Sequence, residues 1–157
     1  MALFSGPQFV ITLANELALT YWGRQREQVM NKPFFEALPE SRGQGIEELL
    51  THVYAVGERF TTKERTVQLK RNGRMEPTCL DFVFEPFRES GHTISGVIVV
   101  CVEVTEKVLA RHRLEESEAR YRALASELEQ RVAQRTQELL MANQNLTRST
   151  DNLQQFT

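Results

Sequence analysis

The sequence predicts an α+β domain: an antiparallel sheet with short helices on one face, followed by one long C-terminal helix. Three observations carry this. All 8 glycines and all 5 prolines lie at or before Gly96. Both residue types interrupt regular elements, so their disappearance marks a change of architecture. Upstream of residue 60, short apolar stretches alternate with helix start and stop signals. Between Phe60 and Thr105, three strand-like stretches are separated by two turn signals, the order of an antiparallel meander.

The elements follow in order. Gln8–Ala14 is an apolar strand candidate behind the Gly6–Pro7 turn signal. Asn15 is a good helix N-cap, because its side chain accepts from a free backbone N–H. Glu16 places a negative charge in the first turn, where it suits the helix dipole. Leu17 is expected to be the first residue facing inward, with Thr20 and Tyr21 on the same stripe and Trp22 beside it. Gly23 ends this helix. A short polar helix, Gln25–Met30, ends at Asn31, which tolerates a left-handed conformation. Pro33 and Pro39 leave room for one helical turn over Phe34–Leu38. Ile46, Leu49, Leu50, Val53 and Val56 approximate the spacing of an amphipathic helix, closed by Gly57.

Phe60–Lys70 is polar and Thr-rich, as suits a strand with one wet face. Asn72–Gly73 is a hairpin signal. Met75–Phe87 carries Leu80, Phe82 and Phe84 at period two. Pro77 and Pro86 predict that this middle strand is irregular or starts late, and Asp81, between apolar neighbours, is expected to face water. A second turn surrounds Gly91. Thr93–Thr105 is apolar on both faces, the pattern of a central strand covered on both sides.

A chain of 157 residues suits one domain of about 100 residues plus an extension. Net charge is −2, so no basic field points to nucleic acid. No apolar run approaches the roughly 18 residues that span a bilayer, and the N-terminus lacks a secretory pattern. Cys79 and Cys101 have no metal-type spacing, and buried thiols in a reducing cytosol are the plain reading. A cytoplasmic location is therefore expected. Both ends read as cut points in a longer protein, which leaves upstream membrane attachment open.

Residues 1–105 resemble the PAS sensor domain. The run LANELALTYWGRQREQVMNKP is similar to that family's sequence of strand, Asn-capped helix, aromatic-Gly and Gly-Lys-Pro. Asn15, Trp22, Gly23, Glu27, Lys32 and Pro33 match, and Asn31 replaces the customary Gly. ISGVIVVCVEVTE resembles the last strand with its terminal Asp-Ile-Thr, here Glu103, Val104 and Thr105. The family's first strand reads as clipped to Ala2–Phe4. Residues 106–157, with ELEQRVAQRTQELLMANQNLTRSTDNLQQF, resemble the helical linker leading to the phosphoacceptor domain of bacterial sensor histidine kinases. The phosphoacceptor histidine and the ATP-binding domain are absent, and His52, His92 and His112 lack the phosphoacceptor context.

Leu114, Tyr121 and Leu128 are spaced by seven, as are Val132, Leu139, Leu146 and Leu153. The two series are offset by four residues, a stutter that locally unwinds a left-handed supercoil. Eight acidic and eight basic residues follow from Glu106 on, mixed in sign as on a solvated face. Thr136, Asn143 and Thr150 fall where a second apolar core residue belongs. A helix this polar buries too little alone, so a parallel homodimer is expected, with Asn143 favouring register at a cost in stability.

Two readings stand for Trp22, Phe35, Leu50, Tyr54, Phe82 and Phe84: the lining of a cavity for an unidentified small-molecule signal, or a filled core. His52 lies on the element from which haem-binding PAS domains present their ligand, but beside the apolar stripe, so an ordinary boundary histidine is expected. The Asn-Cys-Arg-Phe signature of flavin-binding relatives is missing. No cofactor is expected, and no catalytic, metal or phosphate-loop constellation appears. Arg24, Arg26 and Glu85–Glu89 read as solvated charge. The function implied is a sensory and dimerisation module of a two-component histidine kinase, with a response regulator as partner of the parent protein. A PAS module serving a cyclase or transcription factor, or a scaffold without a ligand, are the alternatives.

Overall fold

The computed structural model describes residues 1–71, 73–90 and 92–154, with backbone alone for 152–154. Five strands, β1 (Ala2–Ser5), β2 (Val10–Ala14), β3 (Phe60–Arg71), β4 (Arg74–Phe87) and β5 (Gly96–Glu103), form one antiparallel sheet in the order β2-β1-β5-β4-β3. Between β2 and β3 come α1 (Glu16–Trp22), α2 (Arg26–Val29), α3 (Phe34–Ala37), a 3-10 turn (Pro39–Ser41) and α4 (Ile46–Val56). The long helix α5 covers Thr105–Gln154. Two compact units result, Met1–Leu109 and Ala110–Thr157.

Local chemistry explains the short helices. The Asn15 side chain accepts from the Ala18 N–H at 3.0 Å and from the N-terminal amine at 2.8 Å, so α1 starts where the cap is pinned. Gly23 ends it at φ 60°, with its α-carbon 1.5 Å or so from where a Cβ would meet the Lys70 carbonyl oxygen at 2.7 Å. Asn31 takes the left-handed conformation at φ 60°. Its N–H donates to the Ile11 carbonyl, and the Ile11 N–H donates to the Lys32 carbonyl. The outer edge of β2 is thus covered by the α2–α3 connection rather than left open.

Several expectations are corrected. Leu17 is exposed, and the inward residues of α1 are Ala18, Leu19 and Tyr21. The cap at Asn15 fixes the phase of a two-turn helix, and that phase turns Leu17 and Thr20 outward. Val56 is exposed on the last turn of α4, although Ile46, Leu50 and Val53 are buried as expected. The strand predicted over Gln8–Ala14 starts only at Val10, because Phe9 sits at φ 52°. Thr105 opens α5 rather than ending β5.

Strand β4 is unbroken despite its prolines. The Gln68 N–H donates to a side chain, Gln44 Oε1, and so points away from β4. Its opposite number Pro77 therefore turns its nitrogen away from β3, toward a side where β5 has ended, since β5 pairs only with Leu80–Phe87. Pro86, of opposite parity, faces β3, whose pairing stops at Phe84. Neither proline removes a ladder bond. The irregularity falls instead on β3, between Thr62 and Arg65, where Glu64 has φ 52°. Asp81 is half-buried and accepts the Glu64 N–H at 2.7 Å, so it holds this bulge rather than simply facing water.

The core fills one side of the sheet. Phe84, Ile11, Leu38, Leu50, Val29, Val53 and Val97 are its most deeply buried apolar side chains. On β5 the inward residues Val97 and Val99 are buried, whereas Val100 and Val102 are exposed. The strand is central, yet its outward-facing Val100 and Val102 are left exposed.

Candidate functional site

Two features of the first unit meet at the end of β5: an apolar cavity and the junction with α5. The cavity, about 70 Å³, lies between the inner face of the sheet and α1, α3 and the start of α4. Its walls include Phe4, Leu80, Phe82, Phe84, Val99 and Cys101 from the sheet, Tyr21 and Trp22 from α1, and Phe34 from α3. Phe4 and Phe34 lie 4.8 Å apart between ring centroids, and Phe82 stacks on Phe84 at 5.6 Å. This volume is far below the roughly 300–1,000 Å³ of drug-sized sites. Burial pushes the Cys101 thiol pKa up, so the thiol stays protonated.

Of the residues singled out in the sequence, Trp22, Phe82 and Phe84 line this cavity. Phe35 and Tyr54 pack edge-on against Phe9, at 6.5 and 6.0 Å, and Leu50 is fully buried away from the cavity wall. His52 is exposed on α4. Among the described residues, no group of three or more His, Cys, Asp or Glu is placed to hold a metal ion.

The polar rim is a strap from Pro39 to Gly45. The Gln44 side-chain amide donates to the Glu40 and Gln68 carbonyls at 2.7 and 3.1 Å and accepts the Gln68 N–H at 2.7 Å. It occupies the open edge of β3 as a further strand would. Arg65 donates to the Gln44 carbonyl at 2.6 Å, and Arg24 pairs with Glu40 at 2.8 Å. Arg24 is therefore not simply solvated charge: its side chain is 22 % exposed and that of Glu40 15 %. Arg26, by contrast, pairs with Glu16 at the surface.

The junction is a dense polar knot. Arg71, the last residue of β3, grips Glu103 with both ends of its guanidinium, at 3.3 and 2.8 Å. Thr105 Oγ1 donates to Glu103 at 3.1 Å and accepts the Cys79 N–H at 3.0 Å. The Val104 N–H donates to the Cys79 carbonyl at 2.8 Å. The ladder between β4 and β5 ends at Leu80 and Glu103. One step further, the threonine hydroxyl replaces the backbone carbonyl that the departing chain no longer supplies to Cys79. The Arg71 hydrogen bonds hold the Glu103 carboxyl below its ordinary pKa, with Thr105 adding to the effect, and raise that of Arg71. Tyr21 completes the knot: its hydroxyl accepts the Glu103 N–H at 3.2 Å, and Arg71 lies 5.8 Å from its ring centroid. The sequence placed Glu103, Val104 and Thr105 here. It did not reveal Arg71 or Tyr21, whose only sequence signals are a position before a hairpin turn and a helix stripe.

In the second unit, Leu114, Tyr121, Leu128, Val132, Leu139 and Leu146 are exposed, as is Asn143. The Leu153 side chain lies outside the described residues. Ion pairs along the helix, Glu118–Arg122, Glu127–Arg131 and Arg135–Glu138, are of the i,i+4 and i,i+3 kind that support a solvated helix by a few tenths of a kcal/mol each, as is usual for such pairs. No helix among the described residues is long and apolar enough to cross a membrane.

Comparison with known proteins gives the architecture its family. Residues 1–109 match the family described as PAS fold. Among solved structures, the chain is similar to an RNA-binding light-oxygen-voltage receptor, with 18% identity and a TM-score of 0.57 over 75% of this chain and 32% of that one. It is also similar to a Rhodobacter sphaeroides LOV protein, with 16% identity and a TM-score of 0.51 over 71% and 65% of the two chains. The PAS domain of histidine kinase ThkA is similar at 21% identity and a TM-score of 0.47, over 64% of this chain and 96% of that one. At these identities the likeness is one of fold.

Proposed function

The chain belongs to the PAS fold family, and from that premise we propose that it is the sensory and dimerisation module of a two-component histidine kinase. The observation that carries the proposal is the handover at Glu103–Thr105. A strand of the sensor sheet passes within two residues into an uninterrupted helix, and both sides of the handover are fixed by hydrogen bonds to β3, β4 and α1. A change in the packing of the sheet therefore reaches the first turn of α5 with little slack.

In this reading, α5 pairs in parallel with the α5 of a second copy. The heptad series Leu114–Leu128 and Val132–Leu153 supply the seam, and Asn143 sets its register. The stutter between Leu128 and Val132 is the bistable element, able to relax between two packings and so to pass on a rotation or shift. The segment that follows carries the phosphoacceptor, and a response regulator receives the phosphoryl group. The module itself does no phosphoryl chemistry. The sequence resemblance of residues 127–156 to kinase linkers supports the choice of output.

The test is deletion of Glu129–Val132 in the parent protein, which merges the two heptad series into one phase. The reading requires a changed autophosphorylation level or a lost response. Unchanged autophosphorylation and response would remove the stutter from the mechanism. A parent that forms no phosphohistidine would move the output to another class.

A further inference from the structure

We infer that Tyr21 is the residue that couples occupancy of the cavity to the position of α5. The inference rests on the relay reading above and names the side chain through which the relay runs. Among the described residues, Tyr21 is the one side chain that belongs both to the cavity wall and, by hydrogen bond, to the junction. Its ring is buried against the cavity. Its hydroxyl accepts the Glu103 N–H at 3.2 Å, and Arg71, held on Glu103 at 2.8 Å, lies over its face.

Geometry makes this coupling stiff. The helix that carries Tyr21 is capped at one end by Asn15 and packed at the other onto the carbonyl of Lys70, the neighbour of Arg71. A tyrosine has only two side-chain torsions, so a ring displaced by an occupant carries its hydroxyl with it. The Glu103 N–H must then follow the hydroxyl or lose its acceptor. Glu103 is also the last paired residue of β5, and Thr105, two residues on, opens α5. In a cavity of about 70 Å³, of which the Tyr21 ring is one wall, a small apolar occupant presses on that ring.

The test uses xenon gas as the apolar probe, with the amide resonances of the whole chain followed by NMR under increasing xenon pressure. The wild type is expected to show shifts at cavity-wall amides, such as Val99 and Phe82, and also at Glu103, Val104 and Thr105. Tyr21→Phe keeps the ring and removes the hydroxyl. In that variant the wall shifts and the xenon affinity should persist within about twofold, while the shifts at Glu103–Thr105 fall at least threefold, the loss of one hydrogen-bonded link. Junction shifts of wild-type size in Tyr21→Phe overturn the role of Tyr21 and leave the relay reading standing. Wall shifts without junction shifts in the wild type overturn the relay itself. Absence of any xenon response in the wild type also overturns the inference, because the cavity then accepts no occupant.

Discussion

Replacing Thr105 with valine separates the hydroxyl from the shape of the side chain and so measures how firmly α5 is tied to the sheet. Two hydrogen bonds are lost. The Cys79 N–H, 3.0 Å from Oγ1, is left without its acceptor, and the Glu103 carboxylate loses its 3.1 Å donor. An orphaned backbone N–H costs about 1–3 kcal/mol when buried, and the half-buried setting of both residues puts this one near 1 kcal/mol. The carboxylate keeps its two bonds to Arg71, so its loss is about 0.5 kcal/mol. The total of about 1.5 kcal/mol lowers the melting midpoint of a domain this size by roughly 6–12 °C. Trp22, the single tryptophan and part of the cavity wall, reports unfolding by fluorescence in urea. Amide exchange at Cys79 should accelerate in Thr105→Val and recover in Thr105→Ser. A valine variant with wild-type stability and wild-type exchange at Cys79 would refute the argument that the hydroxyl substitutes for a missing ladder carbonyl.

Four other substitutions probe separate parts of the structure. Glu103 has a depressed folded-state pKa, so its stabilisation is full above the unfolded value of about 4.3 and disappears as pH falls through the folded value. The stability gap between wild type and Glu103→Gln in urea titrations should therefore be largest at neutral pH and close in acid; a gap independent of pH contradicts the ion pair. Gly23→Ala should cost clearly more than the roughly 1–2 kcal/mol of a left-handed alanine, because its Cβ meets the Lys70 carbonyl oxygen, whereas Gly43→Ala, at φ 71° with nothing within 4 Å, pays only the backbone cost. Equal losses at the two glycines, again in urea, would show that α1 does not pack closely on β3. Gln44→Ala should abolish exchange protection at the Gln68 amide, whose acceptor is the Gln44 side chain, and leave Ile11 protected by the Lys32 carbonyl; retained protection at Gln68 would mean that the strap is not held there.

The legible parts of this fold are those governed by local chemistry. Asn15, Gly23 and Asn31 act within a few residues of themselves, through caps and left-handed conformations, and each is where the sequence puts it. The period-two run Leu80, Phe82, Phe84 likewise identifies its buried face. What was not legible depends on partners far along the chain. Leu17 reads as core by its type, yet the phase of a two-turn helix is decided by a cap that the N-terminal amine also holds. Pro77 and Pro86 read as marks of an irregular or late-starting strand, because only the lengths of the neighbouring strands show that both nitrogens point where pairing has ended. Val100 and Val102 give β5 a two-faced apolar pattern, yet both are exposed. The junction shows the same division: Glu103 and Thr105 are recognisable from their order at a strand end, whereas Arg71 and Tyr21 reach them from 32 and 82 residues away.

Sedimentation equilibrium of the whole chain decides whether α5 works as one of a pair. A paired α5 gives a species of twice the 18.1 kDa chain mass over the micromolar range, reduced to a single chain mass by Leu139→Asp together with Leu146→Asp. A wild-type chain that stays at 18.1 kDa throughout that range, or a dimer that the double substitution leaves intact, would contradict it.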